Sequence, residues 1–542
     1  MRENYAAPPD WWKGAVIYQI YPRSFQDSNN DGCGDLRGVV QRLEYIASLG
    51  VDAVWICPFF KSPMHDFGYD VEDYRQIDPL FGTMKDFTVL KDTAHRLGLK
   101  LIMDIILSHT SINHAWFRES RQSRNNEKAD WYVWADPLED GSPPNNWMSV
   151  FGGPAWTFET RRGQYYMHNW LREQPDLNFH NPEVQKAVLE ECRFWFERGI
   201  DGYRLDVMNF VFHDKELRSN PPKNPFKHGF SSQFEKTEPY NMQYHIYEKS
   251  RPETLDFLLE LRALSDKYGG FLLAEIGDDE PIARCIEYTS GNNRCHTAYS
   301  FVFMTGDGIT PQIVKDTITA FFYNSQYLDN WPTWAFSNHD VIRTVTRWGR
   351  KHGYDQSPEF AKMLNILLMC LPGTICLYQG EELGLDDVQL AYNEIQDPWG
   401  IKLWPEWQGR DGCRTPMPWT DERPNADFTK SGVKSWLPIG PDHFEKSVKV
   451  QDKDDKSVLN VTREFIKLRK TLPALLTGVI DFTDMRNDHT LLFKRQHPEG
   501  DVTCVFNFSD SFQPLNISLS GDLIFGDIDN DGMLPFGFAI LK

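Results

Sequence analysis

Eight short runs, most of them nearly continuous in apolar residues and separated by longer stretches of helical character, constrain this chain more than any other feature. They occupy 16–25, 51–60, 100–107, 202–207, 271–277, 298–304, 334–340 and 374–380. A strand with one wet face alternates apolar and polar residues, whereas a run apolar throughout suits a parallel strand covered on both faces. Between the runs, 36–49 and 86–97 repeat apolar residues at helical spacing. The stretch 182–198 opens on Pro182 and stops before Gly199, as helices prefer to begin and end. Eight such alternations predict an α/β fold, a closed (β/α)₈ TIM barrel rather than an open sheet.

The alternation breaks in three places, each after a strand. Residues 109–180 are rich in Trp, Asn, Pro and Gly and lack a long helical period, so a small inserted domain is expected there. Further insertions are expected at about 212–247 and 381–456. The barrel itself would span 1–108 and 181–476, and the short alternating segments of 477–542 predict a C-terminal antiparallel β domain. Segments that follow the strands of a barrel gather at its C-terminal face, where active sites form.

Net charge is −20, which argues against a phosphate-binding surface and so against nucleic acid. No apolar run is long enough to span a bilayer, and the N-terminus has no signal-peptide core. The nine cysteines form no C-x-x-C pair, and Cys57, Cys370 and Cys376 lie in apolar runs. A cytoplasmic protein with reduced thiols is expected, as a monomer or homodimer with a small neutral ligand and no membrane partner.

Polar residues collect at the strand ends. Strand four reads Gly202-Tyr-Arg204-Leu-Asp206, strand five ends on Ala274-Glu275, and the seventh run carries Asn338, His339 and Asp340. Alternate strand residues share a face, so Arg204 points with Asp206 and Asn338 with Asp340. One acidic residue at a strand end is usually a helix cap or a solvated turn. Three of them, on ends that a barrel brings together, describe a pocket of carboxylates, the machinery of glycoside hydrolysis.

With Val16-Ile-Tyr-Gln-Ile-Tyr-Pro-Arg-Ser-Phe25, Asp104-Ile-Ile-Leu-Ser-His109, Gln174-Pro-Asp-Leu-Asn178 and Pro372-Gly-Thr-Ile-Cys-Leu-Tyr-Gln-Gly-Glu-Glu382, these segments make the whole chain resemble the α-amylase superfamily of glycoside hydrolases (family 13). Gly409-Arg-Asp-Gly-Cys-Arg-Thr-Pro-Met-Pro-Trp419 resembles its exo-acting α-glucosidase and oligo-1,6-glucosidase branch. The resemblance implies Asp206 as nucleophile, Glu275 as acid/base and Asp340 as the residue gripping the sugar hydroxyls. It implies Arg204 beside the nucleophile, and Tyr69, Asp70, His109, His339 and Arg410 around the non-reducing glucose. Val207, after the nucleophile, accompanies α-1,6 cleavage in that family, whereas Ile276-Gly277-Asp278-Asp279 resembles enzymes of short α-1,4 substrates and sucrose. The implied activity is a retaining α-glucosidase acting on maltose-, isomaltose- or sucrose-type substrates. A glucosyl-transferring or isomerising relative shares its first half-reaction, and a catalytically inactive glucosidase-like binding protein is the distant alternative.

Near the N-terminus, Asp27-x-Asn29-x-Asp31-Gly32 copies the start of an EF-hand loop, but Gly38 stands where the twelfth-position glutamate belongs. Asp35 and the Cys33 carbonyl would complete an oxygen cage, and the resembling family carries Ca²⁺ in such a loop. A similar pattern, Asp527-x-Asp529-x-Asp531-Gly532, is expected to be a turn.

Overall fold

The computed structural model describes residues 10–224, 238–306, 308–324, 330–483, 487–515, 519–529 and 532–542. Parts of the second insertion (225–237) and of the second acidic pattern (530–531) lie outside them.

Eight parallel strands form one sheet: β1 (Val16–Ile20), β2 (Ala53–Ile56), β3 (Lys100–Ile106), β4 (Gly202–Asp206), β5 (Phe271–Ile276), β6 (Thr297–Ser300), β7 (Thr333–Trp334) and β8 (Thr374–Tyr378). Their order is β6-β5-β4-β3-β2-β1-β8-β7. A parallel bridge from Ala298 to Pro332 joins the two end strands and closes the barrel. Every strand residue except Lys100 is buried, as strands inside a ring of helices must be. The ring comprises α1 (Leu36–Leu49), α2 (Met84–Arg96), α3 (Pro182–Phe196), α4 (Glu253–Lys267), α5 (Pro281–Thr289), α6 (Pro311–Asn324), α7 (Pro358–Cys370) and α8 (Val458–Arg469).

Several runs shorten where local chemistry ends the ladder. After β1, Pro22 starts a 3₁₀ turn over Pro22–Ser24, because proline has no N–H for the sheet. After β6 a 3₁₀ turn takes Phe301–Phe303. The seventh run keeps only two strand residues: the Asp340 amide donates to Asn338 Oδ1, which turns 338–340 out of the sheet. Asn338 and Asp340 therefore owe their positions to a turn, not to strand alternation.

The inserted segment after β3 holds a three-stranded antiparallel sheet of Trp134–Ala135, Gln164–Met167 and Trp156–Glu159. The third insertion carries the short helix Pro398–Leu403, capped by the Asp397 side chain. Lys402 of that helix donates to the Gly152 carbonyl and ties the third insertion to the first across the barrel mouth. The C-terminal region contains a five-stranded antiparallel sheet, Val479–Thr483, Thr490–Gln496, Val502–Asn507, Phe538–Leu541 and Leu523–Gly526 in spatial order. Among the described residues no helix is long and apolar enough to cross a membrane.

Candidate active site

One cavity of about 250 Å³ opens among the C-terminal ends of the strands. Asp206, Glu275, Asp340, Tyr69, His109, Val207 and Arg410 line it. Arg204 and His339 stand behind this surface, fully buried.

Arg204 organises the barrel axis. Register places it directly opposite Asp104 on β3 and Leu273 on β5. Its Nη1 donates to Asp104 Oδ1 at 2.7 Å and Asp206 Oδ1 at 2.5 Å, and its Nη2 pairs with Glu275 Oε2. The Tyr299 hydroxyl, on β6 opposite Glu275, donates to Glu275 Oε1 at 2.9 Å. One planar guanidinium thus touches three carboxylates, which requires Asp206 and Glu275 to sit close together. Burial, with the charges of Glu275 and Asp104, raises the Asp206 carboxyl well above the usual carboxylate range against the pull of Arg204. Burial likewise pushes Asp104 up to about 6.

Asp206 is followed by a strained turn. Val207 has φ 34° and ψ 52°, a left-handed conformation that β-branched residues avoid at a cost of about 1–3 kcal/mol. That turn directs the Val207 amide to Glu275 Oε2, at 3.1 Å.

The inner end of the cavity is a lattice of opposite charges. Arg410 meets Asp66 at 2.7 Å, Asp397 at 2.9 Å and Asp340 at 3.1 Å. Arg414 reaches Asp340 at 2.9 Å. Burial opposes ionisation of Asp340, but His339, Arg410 and Arg414 hold its carboxyl well below the usual range. Tyr69 stacks on His339 with ring centroids 5.3 Å apart, and its hydroxyl sits 2.6 Å from His339 Nε2. Burial drives His109 down to about 3, so its imidazole is neutral near pH 7; its Nε2 lies 3.1 Å from the Tyr69 carbonyl oxygen. Fixed donors and acceptors of both signs suit a neutral, hydroxyl-rich ligand.

Asp70 requires a correction. It is buried but does not line the cavity; its carboxylate accepts from Ser62 Oγ, His65 N and Asp66 N and holds its own loop together. Asp66, four residues earlier in the same turn, meets Arg410 and takes the place expected of Asp70. Sequence reasoning also passed over Asp104, Tyr299, Asp397 and Arg414, although Asp104 and Arg414 stand inside motifs it used. No comparable signal marked the aromatic lining of Phe151, Trp170, Phe210, Tyr240, Phe301 and Trp399, of which Phe151 and Trp399 lie against the Arg410 guanidinium.

The Asp27–Asp35 loop folds on its own amides. Asp27 Oδ1 accepts from Asn29 N and Asn30 N, Asp27 Oδ2 from Gly32 N, and Asp31 Oδ1 from Cys33 N. Asp35 caps α1 through Gly38 N and also accepts from Ser28. Among the described residues, no three His, Cys, Asp or Glu side chains gather into a metal-binding group. The oxygens of Asp27, Asn29 and Asp31 are nonetheless hard donors with lone pairs left over, as a hard divalent cation requires.

The family profile of the alpha-amylase catalytic domain matches residues 19–478. A probable alpha-glucosidase of Rhizobium meliloti is 52% identical over 503 residues, 92% of this chain and 90% of that protein. An oligo-1,6-glucosidase of Parageobacillus thermoglucosidasius is 36% identical, covering 92% and 91%. The crystal structure of an alpha-glucosyl transfer enzyme, XgtA, superposes with a TM-score of 0.93 at 50% identity, covering 98% of this chain and 99% of that one. With a closed barrel, a carboxylate-lined mouth and a match across most of its length, the chain belongs to the alpha-amylase family of glycoside hydrolases.

Proposed function

We propose that the protein is a retaining, exo-acting α-glucosidase that releases glucose from the non-reducing end of short α-glucosides. The observation that carries this reading is the single Arg204 guanidinium shared by Asp206 and Glu275. Retaining glycosidases set their two carboxyls about 5–5.5 Å apart, whereas inverting ones leave room for a water between them. Glu275 protonates the glycosidic oxygen as Asp206 attacks the anomeric carbon, which breaks the bond to the leaving group and forms a glucosyl ester. Water then gives a proton to Glu275 and its oxygen to the anomeric carbon, and the Asp206 carboxylate leaves. Asp340, Arg410, His109 and Asp66 hold the sugar hydroxyls in the inner end, which supports exo action. Val207 narrows the space beside the scissile bond with a stiff side chain, and we assign it activity on α-1,6 as well as α-1,4 linkages.

Two measurements address these points. In a proton NMR time course on p-nitrophenyl α-glucoside, which frees a single glucose, the first glucose signal should be the α-anomer, and early β-glucose would overturn the retaining assignment. Maltose and isomaltose should both be consumed, and unconsumed isomaltose would overturn the linkage assignment.

The likeness to an alpha-glucosyl transfer enzyme and the aromatic lining of the cavity support transfer to hydroxylated acceptors as a second outcome of the same intermediate. The nine free cysteines support a reducing cytoplasmic setting, where the enzyme works as a monomer or homodimer. Asp27, Asn29 and Asp31, with the Cys33 carbonyl and Asp35, would hold a Ca²⁺ that braces the start of α1 and takes no part in the reaction. Chelation should therefore lower the melting temperature by several degrees and leave kcat unchanged well below it. Coincident melting curves in chelator and in millimolar Ca²⁺ would remove the metal from this account.

A further inference from the structure

The mechanism above uses the inner half of the cavity and leaves one buried charge without a task. Lys249 is buried and lines the same cavity. Its ammonium donates to the Tyr240 hydroxyl at 3.2 Å and stands 5.1 Å from the Phe210 ring centre. An ammonium has three donors, and this phenol takes only one of them. Glu248, its sequence neighbour, attracts the charge but gives its hydrogen bonds to His245 and Asn220. A buried cation so lightly bonded is costly unless something in the cavity supplies the remaining acceptors.

Its place in the chain says what that occupant is. The inner end is closed by Arg410 and its three carboxylates. Glu275 must face the leaving-group oxygen to protonate it, so the leaving group lies toward the segments after β4 and β5. Phe210, Tyr240 and Lys249 come from the first of these, and Gly277, Asp278 and Asp279 from the second. Asp279 is paired with Lys223 at 3.3 Å, and Asp278 accepts from Ser250 Oγ. Two carboxylates in this outer half disfavour an anionic occupant, while hydroxyl oxygens satisfy an ammonium without repulsion.

We propose that Lys249 is a specificity-determining residue of the outer half: oriented by Tyr240, its ammonium donates to hydroxyl oxygens of the sugar or polyol beyond the scissile bond, and so selects leaving groups and acceptors that carry them. This inference rests on the α-glucosidase reading.

The test compares kcat/KM for maltose, whose leaving group carries hydroxyls, with p-nitrophenyl α-glucoside, whose leaving group carries none. In Lys249→Met the loss on maltose should exceed the loss on the aryl glucoside by about tenfold or more, as expected for a charged hydrogen bond. Lys249→Arg should recover part of the difference. Tyr240→Phe, which keeps the ring and its packing, should shift the ratio in the same direction by about threefold. With the aryl glucoside as donor, the glycerol concentration for half-maximal transfer should rise in both Lys249→Met and Tyr240→Phe. Equal losses on both substrates, or an unmoved ratio in both variants, would overturn the assignment. Failure of the α-glucosidase reading is recognised separately, because the native protein would then release glucose from neither substrate.

Discussion

Asp206→Ala and Glu275→Gln should each lower turnover of maltose by about a thousandfold or more, with the fold intact. The two losses should differ in kind. Without Asp206 no glucosyl ester forms, so every substrate suffers alike. Without the Glu275 proton, cost depends on the leaving group, and p-nitrophenolate departs without help. Glu275→Gln should therefore retain more of its first step on p-nitrophenyl α-glucoside than on maltose. The fold should persist because Arg204 keeps two of its three carboxylate partners in either variant. Circular dichroism and rates on both substrates provide the check; near-native turnover of maltose by either variant would overturn the roles assigned here.

Arg204→Met should cost both stability and activity. The side chain is fully buried and faces Asp104, Asp206, Glu275 and the Tyr299 hydroxyl. Removing the cation leaves three buried carboxyls with no positive charge among them, a change worth about 3–5 kcal/mol. Lysine should not rescue it, because a single ammonium cannot stand at both the Nη1 position that serves Asp104 and Asp206 and the Nη2 position that serves Glu275. The deficit should depend on pH with a definite sign. Asp104 and Asp206 already have folded-state pKa values raised above those of the unfolded chain. Losing Arg204 raises them further, so the folded variant binds protons that the unfolded chain releases. Such groups favour the folded state at low pH and cease to as pH rises through the folded pKa. The gap between variant and native urea midpoints should thus be widest at pH 7 and above, and narrow toward pH 5. A gap that is constant or widens on acidification would show that the uncompensated carboxyls are not its cause.

Much of this site was legible before any fold was known. Gly202-Tyr-Arg-Leu-Asp206 declares a buried strand whose Arg and Asp share a face, and the structure places both on the barrel axis. Glu275, after four apolar residues, could end only at the same mouth once the barrel closed. Both inferences follow from strand alternation, which acts between adjacent residues. Asp340 was legible for a different reason than the one offered, since a side-chain turn and not a strand aims it.

Asp66 and Asp70 mark the boundary between the two kinds of information. Both are aspartates of one turn, four residues apart, and nothing local says which faces the cavity. In the folded protein Asp70 spends its oxygens on amides of its own loop, while Asp66 reaches Arg410, 344 positions away. The same holds for Asp397, which the third insertion delivers to Arg410. The sequence by itself determined the eight strands, their burial and the chemistry at their ends, because apolar periodicity and strand alternation are short-range. Only the tertiary structure decided which carboxylate meets which cation, because a buried charge takes whichever partner the closed barrel brings within hydrogen-bond distance.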